Sequence, residues 1–299
     1  MPNDFLSRVL DRLRVMPDES GPRLESRSGA GVRRVRTLDG AAAYLKVTPS
    51  TLDSRAVQAA QRELRFYREI APIAPVRTPT LLDVVVDEDG VAILLAAAGA
   101  TRAPGAWTTG QWAELGRALA RLHDLAVPAG ASWERPDALR EGLAEPDVDA
   151  LRTFWSSSLP QLPELLARRD ELWEQLAAVP PAFIHGDCHT ENLPVRDGQL
   201  VFCDWQVTGL GRPTTDLAFV SVRAVPHGVV VPSVLLDAYL AGRCADPRAL
   251  RRAVLAEELA FFVFLWPPYA VFHDAAAVAR VRQRTRHLAE RWLAEPTAA

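Results

Sequence analysis

The sequence predicts an α+β chain in two parts: a small antiparallel sheet with one helix, then a larger region that is mainly helical. Three observations carry this reading. Asp39-Gly40 and Asp89-Gly90 each separate two extended apolar runs, as a hairpin turn does. One segment of helical period lies between those two hairpins. Past residue 106 the apolar spacing is helical almost throughout, and only a stretch opening at Ala182 reads as strand.

The elements follow in chain order. Phe5, Val9 and Leu13 share one face of an opening helix, with Asn3 or Asp4 as its cap and Pro17 as its stop. GPRLESRSGAGVRRVRT and GAAAYLKVTP form the first hairpin, with Gly29 and Gly31 making a small turn within its first run. A helix then spans about Asp53 to Ile70. Val57, Ala60, Leu64 and Tyr67 make its apolar face, and Glu63 sits on the edge of that face. TLLDVVVD and VAILLAA complete the sheet, and the small residues from Ala96 to Ala106 read as a linker. The division predicted is 1–98 and 99–299, the second part holding a β-hairpin built from the apolar runs Ala182–Ile184 and Leu200–Cys203.

Composition narrows the class. With 299 residues, 48% of them apolar, and a formal charge of −3, the chain can bury a large core. Neither nucleic acid nor an anionic membrane is indicated as a partner. The N-terminus mixes acids and bases, unlike a signal peptide, and the run LAFFVFLWPPYAVF is too short and too broken by proline to span a bilayer. Three cysteines, Cys188, Cys203 and Cys244, are too few for a disulfide framework and point to a reduced, cytoplasmic protein. Lys and Arg number 34, yet Lys46 is the sole lysine, and Asn3 and Asn192 are the sole asparagines. Where Arg has replaced Lys almost everywhere, a retained lysine marks a position that wants a compact, rotatable ammonium.

The chemistry concentrates in FIHGDCHTENLPVRDGQLVFCDWQ, Phe183 to Gln206. His185, Asp187 and Asn192 have the H-x-D-x-x-x-x-N spacing of a kinase catalytic loop, and Asp204 follows on the next loop. In phosphoryl transfer an acceptor-orienting carboxylate, metal ligands, a phosphate cation and a phosphate cover are all required. Asp187 fits the first, Asn192 and Asp204 the second for Mg²⁺, and Lys46 held by Glu63 the third. Backbone N–H groups at Gly29 to Gly31 fit the last. His185 reads as a support of its loop, and His123 as structural. Cys188, His189 and Cys203 lack the spacing and the fourth partner that zinc demands.

HGDCHTEN followed by VFCDWQVTGLGRPTTDLAF resembles the aminoglycoside phosphotransferase and choline kinase superfamily, whose pattern is H-G-D-x-H-x-x-N, then D-W, a glycine and D-L-A. YLKV, RELRFYREI and LGRALARLHDL fit as well, so the resemblance covers about residues 25–225. It implies a bilobal, protein-kinase-like fold, with 1–98 as nucleotide-binding lobe, ATP or GTP between the lobes, and a small hydroxylated molecule as acceptor. It also implies that Asp216 braces the catalytic loop from the start of a helix. The adenine is then read by backbone groups around Ala96 and Ala98. Trp205 and Gln206 are candidate acceptor-side residues, and His189 reads as a loop support with a place near the acceptor as the alternative. A polycationic acceptor would need carboxylates such as Asp237, Glu257, Glu258 and Asp274 in the C-terminal helices. Yet Glu257 and Glu258 lead into LAFFVFLWPPYAVF and point about 100° apart, so an acceptor of modest positive charge with an apolar or planar part is expected ahead of it. The chain departs from the pattern at Gln206, where Glu or Gly is frequent, and in a linker without an acidic residue.

Two rival readings remain at this stage. One is a protein of the same fold that binds nucleotide or metabolite without chemistry. The other is a protein kinase, disfavoured because H-G-D and D-W-Q replace H-R-D and D-F-G and no A-P-E segment follows.

Overall fold

The computed structural model describes residues 2–18, 31–128, 132–244 and 246–294. The chain forms two compact units: Met1–Ala100 with Pro194–Thr208, and Thr101–Leu193 with Gly209–Ala299.

In the first unit, α1 (Pro2–Leu13) leads through β1 (Met16–Pro17) to β2 (Gly31–Arg36), β3 (Ala42–Pro49), α2 (Ser54–Glu69), β4 (Leu81–Asp87) and β5 (Gly90–Ala96). The five strands form one antiparallel sheet in the order β1-β2-β3-β5-β4. Strand residues alternate between faces. Ala43, Leu45 and Val47 of β3 therefore bury against Phe5, Val9 and Leu13 of α1, while Lys46 lies on the opposite face. α2 packs against β3 and β5, and Asp53 caps it by accepting from the Arg55 amide. Glu63 is not at the edge of the α2 face but inside it, 1% exposed, because Phe66 is buried too and widens the buried stripe.

The cap expected at Asn3 or Asp4 falls on residues whose side chains lie outside the described structure, and two other local expectations change. α1 is Pro2–Leu13. Its stop is Arg14 in the left-handed region (φ 51°), not Pro17. The Arg14 amide donates to the Asp11 carbonyl and the Val15 amide to that of Leu10, which closes the helix before the proline is reached. Gly31 opens β2 opposite Val47 with room for a side chain, since a Cβ there would come no closer than 3.9 Å to the Val47 carbonyl. Gly29 lies outside the described residues.

Pro194–Thr208 joins this unit through backbone pairing. Ala100 and Val195 exchange two hydrogen bonds (3.3 and 2.9 Å), and the Phe202 amide donates to the Arg77 carbonyl at 2.8 Å. Here Gly99 is required: at φ 105°, a Cβ would sit 2.2 Å from the Val195 carbonyl oxygen. Asp197 and Gly198, both at positive φ, turn β7 (Val195–Arg196) onto β8 (Gln199–Leu200).

In the second unit, α3 (Thr109–His123), α4 (Ala138–Ala144), α5 (Val148–Trp155), α6 (Leu162–Ala167) and α7 (Arg169–Ala177) precede β6 (Ala182–Ile184). Then come β9 (Gly209–Gly211), α8 (Pro213–Ala224), α9 (Val234–Ala241), α10 (Pro247–Ala260) and α11 (Ala275–Ala294). β6 pairs with β9 and not with the run at Leu200–Cys203, because the tight turn at Asp197-Gly198 pairs that run locally. The Thr108 hydroxyl and the Gln111 side chain cap α3 reciprocally. α10 runs on into a π-helical turn, Phe261–Leu265, where the Trp266 amide reaches back five residues to the Phe261 carbonyl. That turn splits the aromatic run: Phe262, Val263, Phe264 and Trp266 enter the core with Trp155 and Trp292, while Tyr269, Val271 and Phe272 are exposed. No helix among the described residues is long and apolar enough to cross a membrane.

α3 and α9 approach unusually closely at Gly116, where a Cβ would lie 2.1 Å from the Leu235 carbonyl oxygen and 3.0 Å from the Tyr239 nitrogen. Gly116→Ala must force the helices apart, with a loss of about 1–3 kcal/mol. Urea denaturation checks this, and an unchanged midpoint would show that the contact opens freely.

Candidate active site

The residues singled out by the motifs gather in two sets, one in each unit. In the first, the Lys46 ammonium donates to Glu63 Oε1 and Oε2 (2.7 and 2.9 Å) and to Asp204 Oδ1 (2.9 Å). The strand period aims Lys46 at α2, and the helix presents Glu63 to it. Burial works against the Lys46 charge, but Glu63 and Asp204 outweigh it and hold the amine protonated above its usual range. Full burial pushes the Glu63 carboxyl up against the pull of Lys46. Asp204 is held at φ 66°, a conformation disfavoured for any residue with a side chain, and keeps its carboxylate 37% exposed.

The residues flanking Asp204 face inward. Trp205 is fully buried, stacked on Phe66 with ring centroids 3.8 Å apart, and its Nε1 donates to the Phe202 carbonyl at 2.9 Å. It offers no surface to an acceptor, which corrects the role suggested for it by its place beside Asp204. Cys203 is partly buried, and burial pushes its thiol up to about 12, so it is inert as a nucleophile at neutral pH. Gln206 sits half-buried in the turn that follows. Ala96 ends β5 with its amide on the Thr80 carbonyl, and Ala97 donates to Ala42 and accepts from Arg196. The Ala98 amide makes no hydrogen bond among the described residues.

In the second unit the loop after β6 is organised around Asp216, buried in the first turn of α8. Its Oδ2 accepts from the His185 amide at 2.8 Å and its Oδ1 from the Gly186 amide at 2.7 Å. His123 Nε2 donates to the same carboxylate at 3.1 Å, and its Nδ1 pairs with the Tyr239 hydroxyl at 3.0 Å. Burial works to raise the Asp216 carboxyl, but the His123 hydrogen bond leads the contacts that hold it below the usual range. Gly186 turns the loop at φ 84°, and the Asp187 amide donates to His185 Nδ1 at 3.3 Å. Asp187 is thus fixed by backbone contacts, with its side chain 33% exposed.

Asn192 ends the short turn Thr190–Asn192 and donates from Nδ2 to both the carbonyl and Oδ2 of Asp187, each at 3.0 Å. Two acceptors on one side fix the amide orientation and leave Oδ1 on the side away from them. His189 is buried, 3.7 Å from Asp187 and 3.6 Å from Glu191, and Arg223 pairs with Glu191 at 2.7 Å. Burial works to raise Asp187, but His189, then His185 and Arg223, hold it below the usual carboxylate range. It is therefore an ionised, partly exposed carboxylate able to take a proton.

Two further acids leave the list of acceptor contacts. Glu257 is fully buried on Arg212, Thr214 and Thr215, and Glu258 is buried on Ser221 and Arg284. Asp237 pairs with Arg251, and Asp274 accepts from the Ala277 amide. Sequence reasoning missed Tyr239, Arg212, Glu191 and Arg223 as parts of this site. Tyr239, Arg212 and Arg223 have partners far along the chain, as has Glu191 in Arg223, and no local spacing signals them.

The fold is shared with small-molecule kinases. The structure resembles amicoumacin kinase hAmiN, in complex with AMP-PNP, Ca²⁺ and Ami, at 16% identity over 96% of each chain and a TM-score of 0.63. It resembles macrolide 2'-phosphotransferase MphH from Brachybacterium faecium at 21% identity over 99% of each chain (TM-score 0.60). A choline/ethanolamine kinase family protein from Mesorhizobium loti is likewise 21% identical over 97% of this chain and 95% of that one (TM-score 0.61). No curated relative matches the sequence. The model of the phosphotransferase enzyme family matches residues 24–253, which takes in the strands and helix that carry Lys46 and Glu63, the Asp187 loop, Asp204 and the Asp216 brace. With more than half its length matched, the chain belongs to that phosphotransferase enzyme family.

Proposed function

We propose that this small-molecule phosphotransferase moves the γ-phosphoryl group of ATP or GTP to a hydroxyl of a small metabolite or antibiotic, with Asp187 as the base. The observation that carries this is the state of Asp187: ionised, partly exposed, and fixed by Asn192 and its own backbone. The acceptor hydroxyl gives its proton to Asp187 as its oxygen bonds to phosphorus and the bridging oxygen leaves with the nucleoside diphosphate. Lys46, held by Glu63, supplies the cation for the phosphates. The backbone at Ala96 and Ala98 reads the base, for which the Ala98 amide has no other partner among the described residues.

Asn192 and Asp204 suit Mg²⁺. Both offer hard oxygen donors, the Asn192 Oδ1 on the side of its amide away from Asp187 and the Asp204 carboxylate partly exposed, and magnesium is characteristically held by few protein oxygens plus substrate phosphates. Were Mg²⁺ held by these residues, it would neutralise charge on the phosphate oxygens.

For the acceptor, aromatic surface outweighs acidic surface. The His189 ring lies 6.2 Å from Phe219, itself 5.5 Å from Phe261 at the π-helical turn, and both phenyl groups are only partly buried. Glu257 and Glu258 are spent on internal partners. An acceptor of modest positive charge with a sizeable apolar or planar part, such as an antibiotic or specialised metabolite, fits better than a polyamine.

ADP release across a panel of hydroxylated metabolites and antibiotics tests the activity. Turnover should need Mg²⁺ or Mn²⁺ and stop in excess chelator. Kanamycin-like polyamines as the best acceptors, with rates falling steeply in salt, would overturn the acceptor class. Asp187→Asn should lower turnover about 10²–10⁴-fold with nucleotide affinity retained. Because Asp187 is held below the usual range, it stays charged from pH 5 upward. An acid limb near neutrality that disappears in this variant would refute its assignment. Lys46→Arg, which loses the compact charge shared between Glu63 and Asp204, should fall by at least about 100-fold while remaining folded. Near-normal rates would show that a guanidinium serves.

A further inference from the structure

Asp216 can brace the loop only if the first turn of α8 is itself fixed, and the residues around that turn make an unusual buried network. Glu257 on α10 is 0% exposed and takes four donors. The hydroxyl groups of Thr214 and Thr215 (the latter at 2.6 Å) and Nε and Nη2 of Arg212 (3.2 and 3.0 Å) all reach its carboxylate. Arg212 is the residue before α8, and its other face meets Asp137, the N-cap of α4, at 3.2 Å from Nη2 and again from Nη1. Its guanidinium lies over the Trp173 ring at 5.3 Å. Arg135 adds a second, partly buried positive charge beside Asp137, Asp216 and Glu257.

A buried ion pair contributes little net stability compared with an apolar contact of the same size, so stability alone is a poor reason for this arrangement. Geometry is a better one. Neighbouring helical residues point about 100° apart. With Thr214 and Thr215 fixed toward α10, the rotation of the α8 first turn is set, and Asp216 is left facing the His185 and Gly186 amides. We infer that Glu257, through Arg212, Thr214 and Thr215, is a positioning residue that sets the geometry of the Asp187 loop without touching substrate.

The adjacent Glu258 is a matched control. It too is buried and paired, by three donors, Ser221 Oγ at 2.7 Å and Arg284 at 2.8 and 2.9 Å, but it joins the last turn of α8 to α11. A merely structural role predicts the same outcome for both acids.

Amide hydrogen exchange in the full chain separates the two. Glu257→Gln should speed exchange at His185 and Gly186 by about tenfold relative to amides of α11, while Glu258→Gln leaves that ratio within about twofold. Thr215→Val, which removes one donor with little change of volume, should shift the ratio in the same direction and serves if Glu257→Gln does not fold. Equal ratios in the two Gln variants, or no change in Thr215→Val, would overturn the inference. The kinetic arm rests on the proposed phosphotransfer: Glu257→Gln should lower kcat about tenfold with the nucleotide KM unchanged. If the wild-type chain transfers no phosphoryl group, that reading fails, and the exchange ratios still decide the role of Glu257.

Discussion

A carboxylate cut off from water must have its charge answered on every side, and Asp216 is where this chain meets that demand. Two backbone amides and one imidazole converge on it. The two amides belong to the loop that carries Asp187, so satisfying the buried charge and fixing the loop are one event. His123 does the same at one remove, because its bond to Tyr239 links α3 to α9 where Gly116 lets those helices come close. Backbone position at the loop is thereby tied to helix packing through fully paired polar groups, which tolerate little slack in a low-dielectric interior.

The other unit solves a different problem. Lys46 carries one positive charge between two carboxylates, only one of which is buried. Glu63 is inside and cannot be exchanged for solvent, whereas Asp204 keeps one side open. The left-handed backbone at Asp204 separates it from Trp205, whose ring is anchored in the core against Phe66. A core anchor and a partly exposed carboxylate are thus neighbours in sequence with opposite surroundings.

The fold class was legible because its signals are local: two Asp-Gly turns, one amphipathic helix between them, and helical spacing afterwards. Lys46 and Asn192 stood out by scarcity, and the Asp187 loop by spacing, all of which are also local properties. The misjudged positions share a different trait. Trp205 beside a polar loop residue looks exposed until Phe66, over a hundred residues away, is brought against it. Glu257 on a C-terminal helix reads the same whether its partner is a ligand or Arg212. Pro17 is the conspicuous stop signal after α1, while Arg14 in a left-handed turn carries no sequence mark. Register and distant pairing decide such cases, and a single sequence records neither.

The scarcity of lysine has a practical side. Lys46 sits in β3, the middle strand of the five, with its side chain 13% exposed. An endoprotease that cuts only after lysine therefore meets a single target bond, Lys46–Val47, and that bond lies within the folded sheet. No surface nick can precede it, and any cut yields two fragments and nothing else. The rate of that one cleavage reads the opening of the central strand directly, without a label and without competing sites.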